Sequence, residues 1–397
     1  MNIKGYSIKE RQFWVIVLSL SLASMFTFAA FYSFQPLLPV LTDEFGITVS
    51  SASMTMSLST ISLILGLIVL SFFADRNGRV LFIKLSIFLS ILPILFIPFT
   101  DSFFVITLLR FIQGFTLAGV PAAALAYISE EIDVKSSHIA IALYISSNPL
   151  GGMIGRVITG YYSEINWQIA FYILSIFGAF VFLFVLFALP KSKNFSPSNR
   201  TFTEDLKGFS YHLTNPSLLL MFGLGIVLQI TYTGVWTYLP FHLTSPHFGL
   251  SLESVSLIYF VYGFGILGAP IASWLTNRFT LEKIRTVAIL FLVFGVVLTM
   301  HSSIFIVLMG MCILCFGFFT AHALTASSVS QIAVNLKGSA SSLYLVSYYI
   351  GVASGSTLLG PLYETWHWNG IIYLTISLPI MYLVFMFLVK KKGTTKQ

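Results

Sequence analysis

Long apolar runs alternate with short polar connections along all 397 residues of this chain. A helix crossing a bilayer needs about 20 predominantly apolar residues, because lipid offers the backbone no outside hydrogen-bond partner. The runs predict spans over residues 13–39, 50–73, 80–100, 104–129, 138–163 and 168–189, then 216–241, 252–275, 285–300, 304–329, 338–363 and 369–389. The longest polar stretch, residues 190–215, holds Lys191, Lys193, Arg200, Glu204, Asp205 and Lys207, and Thr203–His212 within it reads as a short amphipathic helix. It divides the chain into a six-helix half over 1–189, a linker over 190–215, and a second six-helix half over 216–397 with a short tail. The expected fold is an all-α membrane protein of twelve transmembrane helices.

The halves repeat one another. At an offset of 200 residues Tyr144 matches Tyr344, Gly151 Gly351, Gly155 Gly355, Gly160 Gly360 and Glu164 Glu364. At an offset of 202, Gly66 matches Gly268 and Arg76 matches Arg278. Two parallel halves are a recurrent transporter plan with the substrate near mid-membrane. Ser147, Gly151, Gly155 and Thr159 lie four apart, as do Ser347, Gly351 and Gly355, a spacing that lets helices approach closely in lipid.

Composition agrees: 57% of residues are hydrophobic and 9% charged, against about 25% charged in soluble domains. The net charge of +7 would suggest nucleic acid in a soluble protein, but here it follows topology. Of 21 Lys and Arg, nineteen are assigned to the termini and the even-numbered connections, and two, Arg110 and Arg156, to helix interiors. Positive charge held on one side predicts a cytoplasmic membrane protein with both termini cytoplasmic. The first apolar run is longer than a signal-peptide core and reads as the first span. Cys312 and Cys315 read as packing residues, since a lone pair at this spacing has no further metal ligands.

A cation inside a span is costly and marks a functional candidate. Arg110, with Gln113 three residues on, either lines a cavity and binds anionic substrate or tunes a proton site, or is held by backbone carbonyls. Arg156 either joins that cavity or snorkels to the outer interface. Tyr32, Gln35, Asn148, Gln229, Tyr232, Trp236 and Tyr348 are further candidate lining residues; Trp236 also suits an interfacial aromatic belt. None of the fourteen acids falls well inside a span, which favours an anionic or zwitterionic substrate over organic cations. Proton coupling then points to His322, the one histidine deep in a span, with Arg110 beside it in that role, though helix packing would also explain the histidine. Glu130 and Glu131 read as loop salt-bridge residues. No metal site, cofactor or enzyme chemistry is expected, because no paired carboxylates or ligand cluster occurs in the spans.

After the second span stands Asp75-Arg76-Asn77-Gly78-Arg79, an acid, two arginines and a turn glycine able to bridge helix ends in one conformation. This loop resembles the signature motif of the major facilitator superfamily, with Ser71 and Val80 where a glycine and a second basic residue are usual. Arg110-Phe-Ile-Gln113-Gly114 resembles that family's RxxQG motif. Tyr32-Ser-Phe-Gln35-Pro36, Leu143-Tyr144-Ile-Ser-Ser-Asn148-Pro149 and Gly155-Arg156 resemble the twelve-span drug:proton antiporter branch, and Tyr344–Gly351 echoes them. The resemblance implies the fold of that superfamily, and a gate made by Asp75, Arg76, Gly78 and Arg79 with Arg278 as counterpart. It also implies a monomeric secondary transporter, without ATP, exporting a small molecule against protons by alternating access. Metallophores of the opine type, amino-acid or sugar derivatives and amphiphilic drugs fit such a cargo. An importer of organic anions, or a receptor or lipid scramblase, is the rival reading.

Overall fold

The computed structural model describes residues 5–199 and 201–394; Lys4, Arg200 and Lys396 of the basic set lie outside these. Among the described residues the chain is helical, with one isolated bridge between Tyr6 and Ile132. In chain order the helices are α1 (Arg11–Tyr32), α2 (Leu38–Phe45), α3 (Val49–Asn77), α4 (Arg79–Phe96), α5 (Phe103–Leu117), α6 (Gly119–Glu131) and α7 (Val134–Ala188). They continue with α8 (Phe202–Leu213), α9 (Pro216–Thr244), α10 (Leu252–Ile258), α11 (Tyr262–Ile266), α12 (Gly268–Leu275), α13 (Leu281–Leu298), α14 (Ile304–Ile332), α15 (Lys337–Thr357) and α16 (Gly360–Thr394).

Every expected span has a helical counterpart, but several are broken, and proline sets the place. A proline has no N–H for the carbonyl four residues earlier and its ring crowds that carbonyl. Accordingly α1 ends at Tyr32, four before Pro36; α5 at Leu117, four before Pro121; α11 at Ile266, four before Pro270; and α15 at Thr357, four before Pro361. Two other elements run together where separate spans were expected. In α7, 55 residues long, Asn166 leaves helical geometry at φ −169° and ψ 101°, separating the fifth and sixth spans. In α16, His367 at φ 49° and ψ −139° separates the end of the eleventh span from the twelfth. Among the described residues, nine stretches are long and apolar enough to cross a membrane by length and composition alone. The second part of α7 and the more polar α13 and α15 complete twelve.

Lys84 and Arg285, counted among the nineteen although the expected spans 80–100 and 285–300 contain them, stand beyond the first turn of their helices. Lys84 lies on α4 and donates to the Leu186 carbonyl at 3.0 Å. Arg285 lies on α13, only 6% exposed. The boundary of an apolar run does not mark where the helix begins, because a first turn can carry polar side chains.

Caps follow the sequence closely. Asp133 accepts from the Lys135 and Ser136 backbone N–H groups at the start of α7, and the Ser136 side-chain bond holds its carboxyl below the usual range. Thr201 and Glu204 form a capping box at α8, the expected amphipathic linker helix. Between α3 and α4, Gly78 turns the chain at φ 105°, a conformation open chiefly to glycine.

Packing divides the chain into two compact units, one of Met1–Phe45, Met54–Arg200 and Leu252–Tyr259, the other of Gly46–Ser53, Thr201–Ser251 and Phe260–Gln397. In the first, α1 lies along α7, where Gly151 and Gly155 rest on the backbone at Met25 and Ala29 so closely that a Cβ on either would overlap it. In the second, α9 lies along α15, and a Cβ on Gly351 would stand 2.6 Å from the Ile226 carbonyl oxygen, one on Gly355 2.8 Å from that of Ile230. Gly66 meets Phe115 on α5 and Gly268 meets Phe316 and Thr320 on α14, so both sequence-matched glycine sets serve close approach.

Candidate transport site

In the first unit the break at Pro36 exposes the last carbonyls of α1, and Arg110 from α5 reaches them. Arg110 is fully buried. Its Nη2 donates to the Phe31 carbonyl at 2.8 Å and its Nη1 to that of Ala30 at 3.2 Å. Nε donates to the Thr55 carbonyl at 3.4 Å, Nη1 also to Gln113 Oε1, and Nη2 contacts Met56 Sδ at 3.9 Å. The Phe34 ring covers the guanidinium at 4.5 Å. Five contacts for five N–H groups make Arg110, in this conformation, the carbonyl-bound arginine of the two alternatives open in the sequence. Gln113 is different: its Nε2 is buried with no hydrogen-bond partner among the described residues.

Arg156, two helical turns beyond the asparagine-proline segment of α7, meets the candidates from the first span. Its Nε donates to Gln35 Oε1 at 2.6 Å. The guanidinium stacks on Tyr32 at 3.9 Å and lies 5.4 Å from the Tyr259 ring. It is 2% exposed, so in this structure it does not snorkel to an interface. Gly152 leaves the room, since a Cβ there would stand 2.9 Å from Arg156 Nη1 and 3.1 Å from the Tyr32 ring. Asn148 sits further along α7 and accepts from Ser24 of α1. Tyr32, Gln35 and Arg156 therefore form one cluster, joined by Tyr259, which lies in the expected span 252–275 but was not among the expected lining residues.

The second unit presents mainly rings, with one buried arginine, Arg285. Tyr232 stacks on Phe318 at 3.9 Å, and its hydroxyl meets Cys315 Sγ at 3.6 Å. Trp236, fully buried and 4.6 Å from the Tyr262 ring, is no member of an interfacial belt. Gln229 Oε1 accepts from Thr233 at 2.9 Å. His322 Nδ1 lies 2.8 Å from the Tyr344 hydroxyl and its ring 4.9 Å from that of Tyr348, which joins the expected lining residue to the expected proton carrier. Arg285, missed in the sequence, donates to Ser328 Oγ at 2.7 Å and contacts Met221 Sδ at 3.3 Å.

Residues expected to form a gate meet in the first unit. Arg79 pairs with Asp75 and donates through Nε and Nη2 to Glu130 Oε1 at 3.1 and 3.0 Å. Arg76 folds back onto its own helix, Nη1 donating to the Phe72 carbonyl at 2.8 Å over the Phe72 ring. Glu130 thus joins a salt bridge. Glu131 instead accepts from the backbone of Lys193 and Asn194 at 2.7 and 2.9 Å and anchors the linker. In the second unit Asn277 stands where the repeat places Asp75, and exposed Arg278 lies 5.4 Å over the Trp274 ring.

Comparison with known proteins agrees with this architecture. The family model described as Major Facilitator Superfamily matches residues 20–356. An uncharacterized transporter of Buchnera aphidicola subsp. Schizaphis graminum is 32% identical over 96% of this chain and 92% of its own. The inner membrane transport protein YnfM of Escherichia coli (strain K12) is 32% identical over 94% of this chain and 90% of its own. Among solved structures, that of the nucleoside transporter NupG (D323A mutant) aligns over 94% of this chain and 99% of its own with a TM-score of 0.77 at 14% identity, a likeness of fold. Multi-pass helices, the repeated glycine packing and these relatives together place the chain in the Major Facilitator Superfamily of membrane transporters.

Proposed function

We propose that the protein is a proton-coupled exporter of a small anionic or zwitterionic organic molecule in the bacterial inner membrane, working as a monomer by alternating access with both termini cytoplasmic. Burial of Arg156 among Tyr32, Gln35 and Tyr259 carries the reading. A cation removed from water is stabilised by an anion that binds beside it. The acids of the described chain sit at helix ends or in connections, so substrate carboxylate or phosphate meets no opposing charge from mid-span. Gln113, with its unpartnered Nε2, offers a neutral donor in the same unit, while Arg110 holds the broken first span in shape.

Resemblance to the drug:proton antiporter branch supports export, and the His322–Tyr344 hydrogen bond supports a proton carrier on α14. Cargo classes that fit are opine-type metallophores and acidic amino-acid or sugar derivatives. The decisive experiment compares metabolites inside and outside cells with the gene intact, deleted, or carrying Arg156→Ala. An anionic compound retained at least tenfold inside both deletion and variant cells is the expected result. Retention of a cation, or depletion of the anion from deletion cells as an importer would give, overturns the reading.

A further inference from the structure

Two glutamates outside the arginine cluster do the same thing in different places. Glu364 Oε1 accepts from the backbone N–H of Ser50, in the first turn of α3, at 2.8 Å. Glu164 Oε1 accepts from the backbone N–H of Leu252, the first residue of α10, at 2.6 Å. The acceptors are 200 positions apart in the chain and the donors 202, the same two offsets that relate the helices carrying them. Each contact is thus one copy of a duplicated device.

The surroundings are duplicated as well. Four residues before each glutamate stands a glycine, Gly160 and Gly360. A Cβ on Gly160 would lie 2.5 Å from Ser256 Cβ, and one on Gly360 2.8 Å from Ser50 Cα. In both, the glycine admits the opening turn of a span and the carboxylate one turn on takes an N–H that the turn leaves without an intrahelical partner. The helix dipole adds to the attraction, since its positive end faces the carboxylate. Beside Glu364, Ser53 Oγ lies 3.5 Å from Thr357 Oγ1.

We propose that Glu164 and Glu364 are positioning residues of the transport cycle: paired carboxylate clasps that hold the first turns of the eighth and second spans closed and must release together for those spans to part. Sequence distance gives the clasps their leverage. Each ties the start of a span in one half of the chain to the end of a helix from the other half, 88 residues away for Leu252 and 314 for Ser50. Neutralising one carboxylate leaves a carbonyl acceptor but removes its charge, so the released state gains population about fivefold per clasp and about 25-fold for both.

The test needs no knowledge of the cargo. Single cysteines at the buried positions Ser53 and Val255 report on the two clasps through labelling by a membrane-impermeant maleimide in reconstituted vesicles, with protein lacking the added cysteine as background. Glu364→Gln and Glu164→Gln should each raise labelling about fivefold at both reporters, and the double variant about 25-fold. Asp101→Asn, an exposed acid in a connection, should change neither. Where melting shows that a Gln variant has not folded, Glu→Asp, which keeps charge but shortens reach, should give about a twofold rise. Unchanged labelling at both reporters overturns the proposal, and so does a rise confined to the reporter beside the substituted glutamate, which would mark local fraying. Either failure leaves the assignment of an anionic cargo untouched.

Discussion

Arg110→Lys separates a structural arginine from a ligand-binding one. Lysine keeps the buried positive charge and most of the side-chain volume but replaces five N–H groups in a planar fork by three on one nitrogen. That nitrogen cannot reach the carbonyls of Ala30, Phe31 and Thr55 together with Gln113 Oε1, which the guanidinium meets from three separate nitrogens. At least two contacts are lost. Each hydrogen bond to a charged group contributes about 1.5 kcal/mol, so the substitution should destabilise the protein by about 3 kcal/mol. The loss is measured by denaturant titration of purified protein in mild detergent, following intrinsic tryptophan fluorescence. If Arg110 served substrate directly, lysine would retain much of the attraction and stability would hardly move, while the KM for cargo would rise. Unchanged stability with a raised KM would refute the carbonyl-clamp account.

Two further outcomes follow from the packing and the rings. Gly155→Ala drives a methyl into the Ala29 backbone and should cost about 1–3 kcal/mol, whereas Gly338→Ala, with nothing within 4 Å of the added Cβ, should be neutral or stabilising by up to about 1 kcal/mol. Equal melting points for the two variants would contradict the close α1–α7 approach. His322→Gln and Tyr344→Phe should each flatten the dependence of transport rate on the imposed pH gradient while leaving the protein folded, read from dye-monitored proton flux in vesicles. An unaltered pH profile in both removes the His322–Tyr344 pair from coupling.

The fold was largely legible because bilayer thickness and backbone saturation leave few solutions. An apolar run near the span length has to be helical, and glycines at a spacing of four mark where helices touch. The breaks were only partly readable: α1, α5, α11 and α15 end four residues before Pro36, Pro121, Pro270 and Pro361, yet α4, α7, α9 and α16 run on through Pro93, Pro149, Pro240 and Pro379, where packing holds the helix together. The site was legible only by residue type. Tyr32, Gln35 and Arg156 share a cluster because α1 and α7 are pressed together at Gly151 and Gly155, and that contact joins residues 121 apart in sequence. Arg285 escaped notice for a physical reason. It sits in the second turn of α13, at the edge of the expected span, where hydropathy counts a cation as connection although Ser328 and Met221 bury it.

Duplication explains why the halves are alike in scaffold and unlike in chemistry. The glycine pairs and the two glutamate clasps recur because backbone approach leaves little freedom to vary. Side chains projecting from that scaffold are under no such constraint. The first unit placed its charge there, with Arg110 and Arg156 buried and Arg79 tied to Asp75 and Glu130. At the matching acid of the second unit stands Asn277, and its interior carries the rings of Tyr232, Trp236, Phe318 and His322 with Arg285 as its buried cation. If the Arg156 guanidinium meets the anionic group of the cargo, analogues lacking that group should bind more weakly than the intact molecule, and that loss should vanish in Arg156→Ala.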